Sequence, residues 1–192
     1  MKKGLKLTDI LVTIVIALIF GLIYKLWGPL YATVSTVGLH IDQLIYGMWF
    51  MAATVAYLII RKPGVALIAE LAAAQGEFIF GGHWGASTII YGLLQGLAVE
   101  LVFLMFRYKR YDMLTVCLAS VAATLASIPI DYYYGYIGEL ATWNLILYLA
   151  ARFVGAILIS GVLAHVLVRS LEKTSVTNLV RPVSSDDYIG LE

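Results

Sequence analysis

The chain has 192 residues, of which 61% are hydrophobic and only 13% are charged. Soluble domains carry about 45–50% apolar and about 25% charged residues, so this composition excludes an ordinary soluble protein and predicts an integral membrane protein. The net charge of +1 identifies no class of partner, and the single cysteine, Cys117, excludes an intrachain disulfide and a multi-cysteine metal site.

Apolar segments long enough to cross a bilayer core, about 17–25 residues, occur six times. The predicted spans are residues 8–24, 40–60, 64–80, 84–106, 113–130 and 142–168. No A-x-A-like cleavage site with a polar segment follows the first span, so we expect it to be retained rather than removed as a signal peptide. The expected fold class is all-α, with six transmembrane helices in one bundle formed by residues 1–169. The polar residues 170–192 are expected to form a flexible cytoplasmic tail.

Basic residues predict how this bundle is oriented. Eleven of the 13 lysine and arginine residues fall on one side: Lys2, Lys3, Lys6, Arg61, Lys62, Arg107, Lys109, Arg110, Arg169, Lys173 and Arg181. Cytoplasmic segments carry an excess of lysine and arginine. We therefore expect a multi-pass plasma-membrane protein with both termini cytoplasmic and with outer loops at 25–39, 81–84 and 131–141.

The third predicted span contains two glutamates, Glu70 and Glu77. Seven residues make nearly two helical turns, so both carboxylates share one face. A charge at membrane depth costs about 2.5–3.5 kcal/mol on insertion scales, which makes two of them on one helix a functional signal. At 1.5 Å per residue, Glu77 lies about 21 Å and Glu70 about 10 Å from Pro63 at the cytoplasmic end. Glu77 therefore falls in the outer half, and Glu70 lies below it.

Polar and aromatic residues recur at helical spacing in the outer halves of the other helices. The stripes are Asp42, Gln43, Tyr46 and Trp49; Trp84, Thr88, Tyr91 and Gln95; Ser120, Thr124, Ser127 and Asp131; and Asn144, Tyr148, Ala151 and Gly155. A mostly apolar pocket with a few placed polar groups is the usual form of a small-molecule site. Because the inner halves are more apolar, the pattern favours a ligand cup open to the outside over a continuous pore.

Other conspicuous residues have structural interpretations. Aromatic residues near helix ends usually belong to the interfacial belt; this group comprises Trp27, Tyr31, Tyr132, Tyr133, Tyr134, Tyr136 and Trp143. We expect Glu100 to pair with a basic residue at the inner end. Arg152 is expected to neutralise Asp131 or Glu139, although an arginine at this depth could also hold an anionic group.

The remaining motifs concern packing and catalysis. Ala17 and Gly21 form a small-residue patch that packs either within the bundle or against a partner subunit. The sequence contains no H-E-x-x-H, no G-x-S-x-G and no phosphate-binding loop. We therefore expect a protein that is not an enzyme and that holds no cofactor or metal.

The central third of the chain resembles a known family. The residues that carry the resemblance are KPGVALIAELAAAQGEF (62–78), GGHWGAS (81–87) and YGLLQGLAVELVFLMFRYKRY (91–111). They resemble the substrate-binding S-components of energy-coupling factor (ECF) vitamin transporters, and more narrowly the YkoE family of thiamine or hydroxymethylpyrimidine permease subunits. The resemblance implies capture of such a vitamin from outside. It also implies two kinds of partner, a membrane scaffold subunit and two ATPase subunits that drive uptake.

The implied ligand gives roles to the candidate residues. An aminopyrimidine presents an amine beside a ring nitrogen that can be protonated, and one carboxylate, for which Glu77 is the candidate, can bind both. Aromatic faces can hold the thiazolium cation, with Trp49, Trp84 and Tyr91 as candidates. The other substrate-binding candidates are Gln43, Gln95, Asn144 and Tyr148, which can form hydrogen bonds, and Asp131 and Glu70, which add negative potential.

Two other functions fit parts of the sequence. A stand-alone carrier coupled to protons or cations would use Glu70 and Glu77 as relay groups, although the sequence lacks inverted repeats and broken helices. An intramembrane enzyme acting on a lipid or isoprenoid would use the same carboxylates for acid/base chemistry, but no nucleophile or set of metal ligands accompanies them.

Overall fold

The computed structural model describes residues 4–174 and 176–180, and every regular element within them is helical. In chain order the elements are α1 (Leu7–Ser35), a 3-10 helix (Ile41–Phe50), α2 (Met51–Ile60), α3 (Val65–Ile79), α4 (Ser87–Met105), α5 (Met113–Tyr133), α6 (Thr142–Ala156), a π-helical segment (Ile157–Leu163), α7 (Ala164–Glu172) and a short 3-10 helix (Val176–Leu179). The predicted all-α class is confirmed for the described residues.

Five helical stretches in the described part of the chain are long and apolar enough to cross a membrane. They are Leu7–Ser35, Ile41–Ile60, Ser87–Met105, Met113–Tyr133 and Thr142–Glu172. The third predicted span corresponds to α3, whose 15 residues extend about 22 Å, less than the bilayer core of about 30 Å. The described residues thus contain five candidate spans and one shorter apolar helix, as expected of a multi-pass membrane protein.

The first helix is longer than predicted. α1 continues past residue 24 to Ser35 and includes Pro29, so the expected outer loop over 25–39 is wrong for residues 25–35. Contacts across the bundle hold this extension. The Trp27 indole donates a hydrogen bond to the Ile45 carbonyl at 2.9 Å, and the Tyr31 and Trp49 rings meet edge to face with centroids 5.0 Å apart. These contacts outweigh the stop signals that the sequence shows near Pro29.

The second predicted span begins as a 3-10 helix rather than a regular α-helix. It packs very closely on α6: a Cβ added at Gly155 would lie 2.2 Å from the Leu44 carbonyl oxygen. In a 3-10 helix, residues three apart lie one above the other. Gln43, Tyr46 and Trp49 therefore form a single row along one face, which is a tighter alignment than α-helical spacing gives.

The sixth predicted span is also irregular in its middle. Its helix runs from α6 through the π segment into α7, and the Ser160 hydroxyl in that segment donates to the Phe50 carbonyl at 3.3 Å. The last helix ends at Glu172, which forms an ion pair with Arg61 at 2.8 Å. Of the predicted tail over 170–192, residue 175 and residues 181–192 lie outside the described residues.

The small-residue patch on α1 packs inside the bundle. A Cβ added at Gly21 would lie 3.0 Å from the Ala73 carbonyl oxygen and 3.0 Å from the Gly76 Cα. Ala17, one turn earlier, is buried. Of the two alternatives left open by the sequence, the packing of this patch against α3 agrees with a place within the bundle.

Glu100 caps the start of α3 instead of pairing with a basic residue. Its carboxylate accepts hydrogen bonds from the backbone N–H groups of Gly64 at 2.6 Å and Ala66 at 3.1 Å, and from the Tyr108 hydroxyl at 2.8 Å. A helix N-terminus leaves N–H groups without intrahelical partners. A carboxylate from α4 supplies the missing acceptors, so the expectation of a basic partner is corrected here.

We expect Glu100→Ala to lower the free energy of unfolding by about 1–3 kcal/mol, because buried N–H groups at the start of α3 would lose their acceptor. Thermal unfolding of the purified protein in detergent measures the change. The control is Glu139→Gln, which alters an exposed carboxylate and should leave the melting temperature unchanged. Equal melting temperatures for Glu100→Ala and the native chain would contradict the capping role.

Candidate functional site

A cavity of about 540 Å³ lies at the end of the bundle where α1 ends and α4 begins. Its walls come from α1, the 3-10 helix, α3, α4, α5 and α6 and from the loops beside them. Ligand pockets typically enclose about 300–1,000 Å³. The cavity is therefore large enough for a small organic molecule.

Nine of the ten predicted substrate-binding residues line this cavity. They are Gln43, Trp49, Glu77, Trp84, Tyr91, Gln95, Asp131, Asn144 and Tyr148. The tenth, Glu70, does not line it and has no exposed surface. The structure thus separates the two glutamates of α3: Glu77 lies in the cavity wall, and Glu70 lies beneath it.

Glu77 lies in the part of the cavity wall contributed by α3. Its side chain is 1% exposed, and its Oε1 accepts a hydrogen bond from the Trp49 indole at 3.3 Å. The turn after α3 folds back against this carboxylate, since a Cβ added at Gly82 would lie 2.5 Å from the Glu77 Cγ. That turn brings Trp84 to the cavity, where its ring centroid lies 6.1 Å from that of Tyr31. Three aromatic side chains therefore surround the space beside one carboxylate.

Arg152 and Asp131 form an ion pair in the part of the cavity wall contributed by α5 and α6. Both side chains are 2% exposed, and the Arg152 Nε also donates to the Gln43 Oε1 at 2.7 Å. The guanidinium lies over the Tyr46 ring, 3.7 Å from its centroid. Asp131 accepts a further hydrogen bond from the Tyr91 hydroxyl at 2.6 Å. Arg152 thus neutralises Asp131, as expected, and Glu139 is exposed at the surface.

The amide side chains of the cavity form hydrogen bonds with other protein groups. The Gln95 Nε2 donates to the Tyr46 hydroxyl at 3.0 Å and to the Ser127 hydroxyl at 2.8 Å. The Asn144 Oδ1 lies 2.7 Å from the His40 Nε2. These bonds fix the orientation of the amides, and a fixed amide can recognise a ligand without losing further conformational freedom.

Several lining residues were absent from the predicted site. The main ones are Tyr24, Tyr31, His40, Tyr136, Trp143 and Arg152. The spacing of Tyr24 and Tyr31 by seven residues places both on one face of α1. A prediction that α1 continues past residue 24 would therefore have identified both residues. Tyr136 lies in the turn after α5, where partial burial and then the nearby Asp131 raise the pKa of its hydroxyl above the usual value. This side chain therefore contributes a neutral hydrogen-bonding group.

The balance of charge in the cavity wall favours a cationic ligand. The wall contains three carboxyl groups, on Asp42, Glu77 and Asp131, and one guanidinium, on Arg152. Arg152 pairs with Asp131, so Asp42 and Glu77 are the carboxyl groups of the wall that remain available to a ligand. Among the described residues, no group of three or more histidine, cysteine, aspartate or glutamate side chains is arranged to hold a metal ion.

Comparisons with known proteins agree with this architecture. Residues 8–126, more than half of the chain, match the family described as "ABC-type cobalt transport system, permease component". The chain is 32% identical over 177 residues to a protein of Bacillus subtilis (strain 168) named as an HMP/thiamine permease protein, YkoE, with 92% of this chain and 89% of that protein covered. It also resembles a solved structure described as an S-component of an ECF transporter, with a TM-score of 0.87, 31% identity, and coverage of 91% of this chain and 89% of that one.

The helical bundle and its cavity, together with these matches, define a membrane transport protein of the S-component class. Within that class, the chain belongs to the YkoE family of ECF transporter S-components. The resemblance noted from the sequence segments 62–78, 81–87 and 91–111 is therefore confirmed.

Proposed function

We propose that this chain is the substrate-binding membrane subunit of an ECF-type importer. It captures thiamine, or the hydroxymethylpyrimidine moiety of thiamine, from outside the cell. The observation that carries the proposal is the buried Glu77 carboxylate in the cavity wall, which accepts a hydrogen bond from the Trp49 indole. The name of the Bacillus subtilis relative supports the choice of ligand.

The hydrogen-bonding groups around Glu77 suit an aminopyrimidine. Among the described residues, Trp49 is the one hydrogen-bond donor to the Glu77 carboxylate, and a carboxylate can accept about four hydrogen bonds in all. The amine and a protonated ring nitrogen of the pyrimidine fit the remaining positions as charge-assisted bonds. The rings of Tyr31 and Trp84 supply apolar faces beside them, and such faces attract a cation by about 2 kcal/mol or more when it is desolvated.

The other polar side chains of the cavity wall supply orientation. Gln43, Gln95 and Asn144 present polar atoms that are already fixed by the hydrogen bonds described above, and the Tyr148 hydroxyl donates to the Asp131 Oδ2 at 3.3 Å. Asp131 belongs to this hydrogen-bonded framework and does not provide a free negative charge, because it is paired with Arg152. We assign Glu77 to the pyrimidine and these other polar side chains to the rest of the ligand.

The orientation in the membrane is part of the proposal. The cavity lies at one end of the bundle. At the other end, helices α2, α4 and α7 end close to the basic residues Arg61, Arg107 and Arg169. The positive-inside rule places that basic end in the cytoplasm. Both termini are then cytoplasmic, α3 serves as the sixth crossing with the turn at 81–86 above it, and the cavity opens outward across the plasma membrane.

Uptake in this scheme requires partners, a transmembrane scaffold subunit and two ATPase subunits. Reconstitution in proteoliposomes tests this directly. We expect labelled thiamine to accumulate only when the scaffold, both ATPases and ATP are present, while the chain alone binds thiamine without accumulation. Accumulation by the chain alone under a proton gradient would contradict the proposal and favour a stand-alone carrier that uses Glu70 and Glu77 as relay groups.

A further inference from the structure

The start of α2 lies buried within the bundle, directly below the cavity. The preceding 3-10 helix ends at Phe50, and α2 begins at Met51. The first N–H groups of a helix have no intrahelical acceptor, and in a membrane protein they cannot rely on water for one. The acceptors for Ala52 and Ala53 must therefore come from other helices.

Tyr24 and Glu70 supply those acceptors. The Ala52 N–H donates to the Tyr24 hydroxyl at 2.9 Å, and the Ala53 N–H donates to the Glu70 Oε2 at 3.0 Å. The Tyr24 hydroxyl in turn donates to the same Glu70 oxygen at 3.1 Å. Both side chains are fully buried. One hydroxyl from α1 and one carboxylate from α3 thus cap α2 as a single unit.

Neighbouring helices hold this junction from both sides. A Cβ added at Gly96 on α4 would lie 2.9 Å from the Glu70 Cβ, so α4 packs directly behind the glutamate. On the opposite side, the Ser160 hydroxyl in the π segment donates to the Phe50 carbonyl at 3.3 Å and lies 3.2 Å from the Thr54 hydroxyl. Two irregular helical segments therefore meet at residues 50–54.

This junction sets the position of the cavity wall. Trp49, which donates to Glu77, precedes the first residue of α2 by only two positions. Gln43 and Tyr46 lie in the same 3-10 row, and Tyr24 itself forms part of the cavity lining. A shift of the junction would move the Trp49 indole relative to the Glu77 carboxylate.

We propose that Glu70 and Tyr24 are positioning residues for the ligand cavity. Glu70 does not touch the ligand and acts as a hydrogen-bond acceptor that fixes the junction, so its negative charge is not what the binding site requires. This positioning role differs from the role expected from the sequence, in which Glu70 adds negative potential to the binding site. The inference about affinity rests on the proposed function, whereas the inference about the junction can be tested without a ligand.

Matched variants separate these two roles of Glu70. Glu70→Gln retains an acceptor oxygen for Ala53 and Tyr24, whereas Glu70→Ala removes it, and Tyr24→Phe removes the acceptor for Ala52 while preserving the ring. For the purified full chain we expect thiamine affinity within about threefold of native for Glu70→Gln. Affinity should fall at least tenfold for Glu70→Ala and at least tenfold for Tyr24→Phe. Because the two groups act as one unit, the double variant Tyr24→Phe with Glu70→Ala should bind thiamine only slightly more weakly than the single variant with the larger loss.

Hydrogen exchange of the ligand-free protein gives an independent readout. Amides 50–54 should exchange faster in Glu70→Ala and Tyr24→Phe than in the native chain, with native rates in Glu70→Gln. Glu100→Gln is the control, because it alters a helix cap at the other end of the bundle and should leave both thiamine affinity and exchange at 50–54 unchanged. Tyr24→Phe tests the junction even where Glu70→Ala fails to fold.

Two results would overturn this inference. Equal losses of affinity in Glu70→Gln and Glu70→Ala would show that the charge matters, and unchanged exchange at 50–54 in Tyr24→Phe would show that the cap does not hold the junction. If the native chain binds neither thiamine nor hydroxymethylpyrimidine, the proposed function fails, while the exchange data still decide whether Glu70 and Tyr24 fix the start of α2.

Discussion

Glu77→Gln is expected to weaken thiamine binding at least tenfold while leaving the fold intact. The amide has the shape of the carboxylate, but it replaces one acceptor oxygen with a donor and removes the charge that pairs with a protonated aminopyrimidine. Hydrogen bonds to charged groups contribute about 1.5–3 kcal/mol, and about 1.4 kcal/mol corresponds to a tenfold change in affinity. Titration calorimetry on the purified protein measures the loss.

Glu100→Gln is the matched control for this experiment, since it makes the same chemical change in another buried glutamate of the bundle. It should change thiamine affinity little, because Glu100 binds backbone amides at the start of α3, far from the cavity. Equal losses of affinity in the two variants would show that Glu77 is not the ligand carboxylate.

Asp131→Asn is expected to be the most destabilising single change in the cavity wall. It preserves the shape of the side chain but leaves the Arg152 guanidinium, which is 2% exposed, without its counter-charge. Removing one member of a buried ion pair costs about 3–5 kcal/mol of unfolding free energy, because the remaining charge is uncompensated. Thermal unfolding in detergent, without ligand, should show a large fall in melting temperature.

The double variant Asp131→Asn with Arg152→Gln tests the cause of that loss. It removes both charges and should recover part of the stability lost in Asp131→Asn, since no unpaired charge remains buried. A double variant that is destabilised by the full sum of the two single variants would contradict the ion-pair explanation.

Helical spacing alone predicted much of the cavity lining. Thr88, Tyr91 and Gln95 follow one another at intervals that keep them on one face of α4, and the structure places all three in the cavity wall. The difference between Glu77 and Glu70 also followed from depth along one helix. These features are local, because they depend on the rise and turn of a single helix.

The features that the sequence did not predict depend on contacts between helices. α1 passes through Pro29 because Trp27 and Tyr31 find partners on the 3-10 helix, and that extension brings Tyr31 into the cavity. The 3-10 helix itself depends on the close approach of Gly155 to Leu44. Likewise, Glu70 can act as an acceptor for the Ala53 N–H only because α2 begins beside it in the bundle. Such pairings between distant residues are not encoded in the periodicity of either segment.

Thermal stabilisation by thiamine tests the central claim most directly. A ligand that binds only the folded chain, present at 100 times its dissociation constant, should raise the unfolding free energy by about 2.7 kcal/mol. Scans of the purified native protein with thiamine and with hydroxymethylpyrimidine should therefore show a concentration-dependent rise in melting temperature for at least one of them. The same ligand should produce a much smaller rise in Glu77→Gln. No rise with either compound would contradict the assignment of this cavity to a thiamine-type ligand.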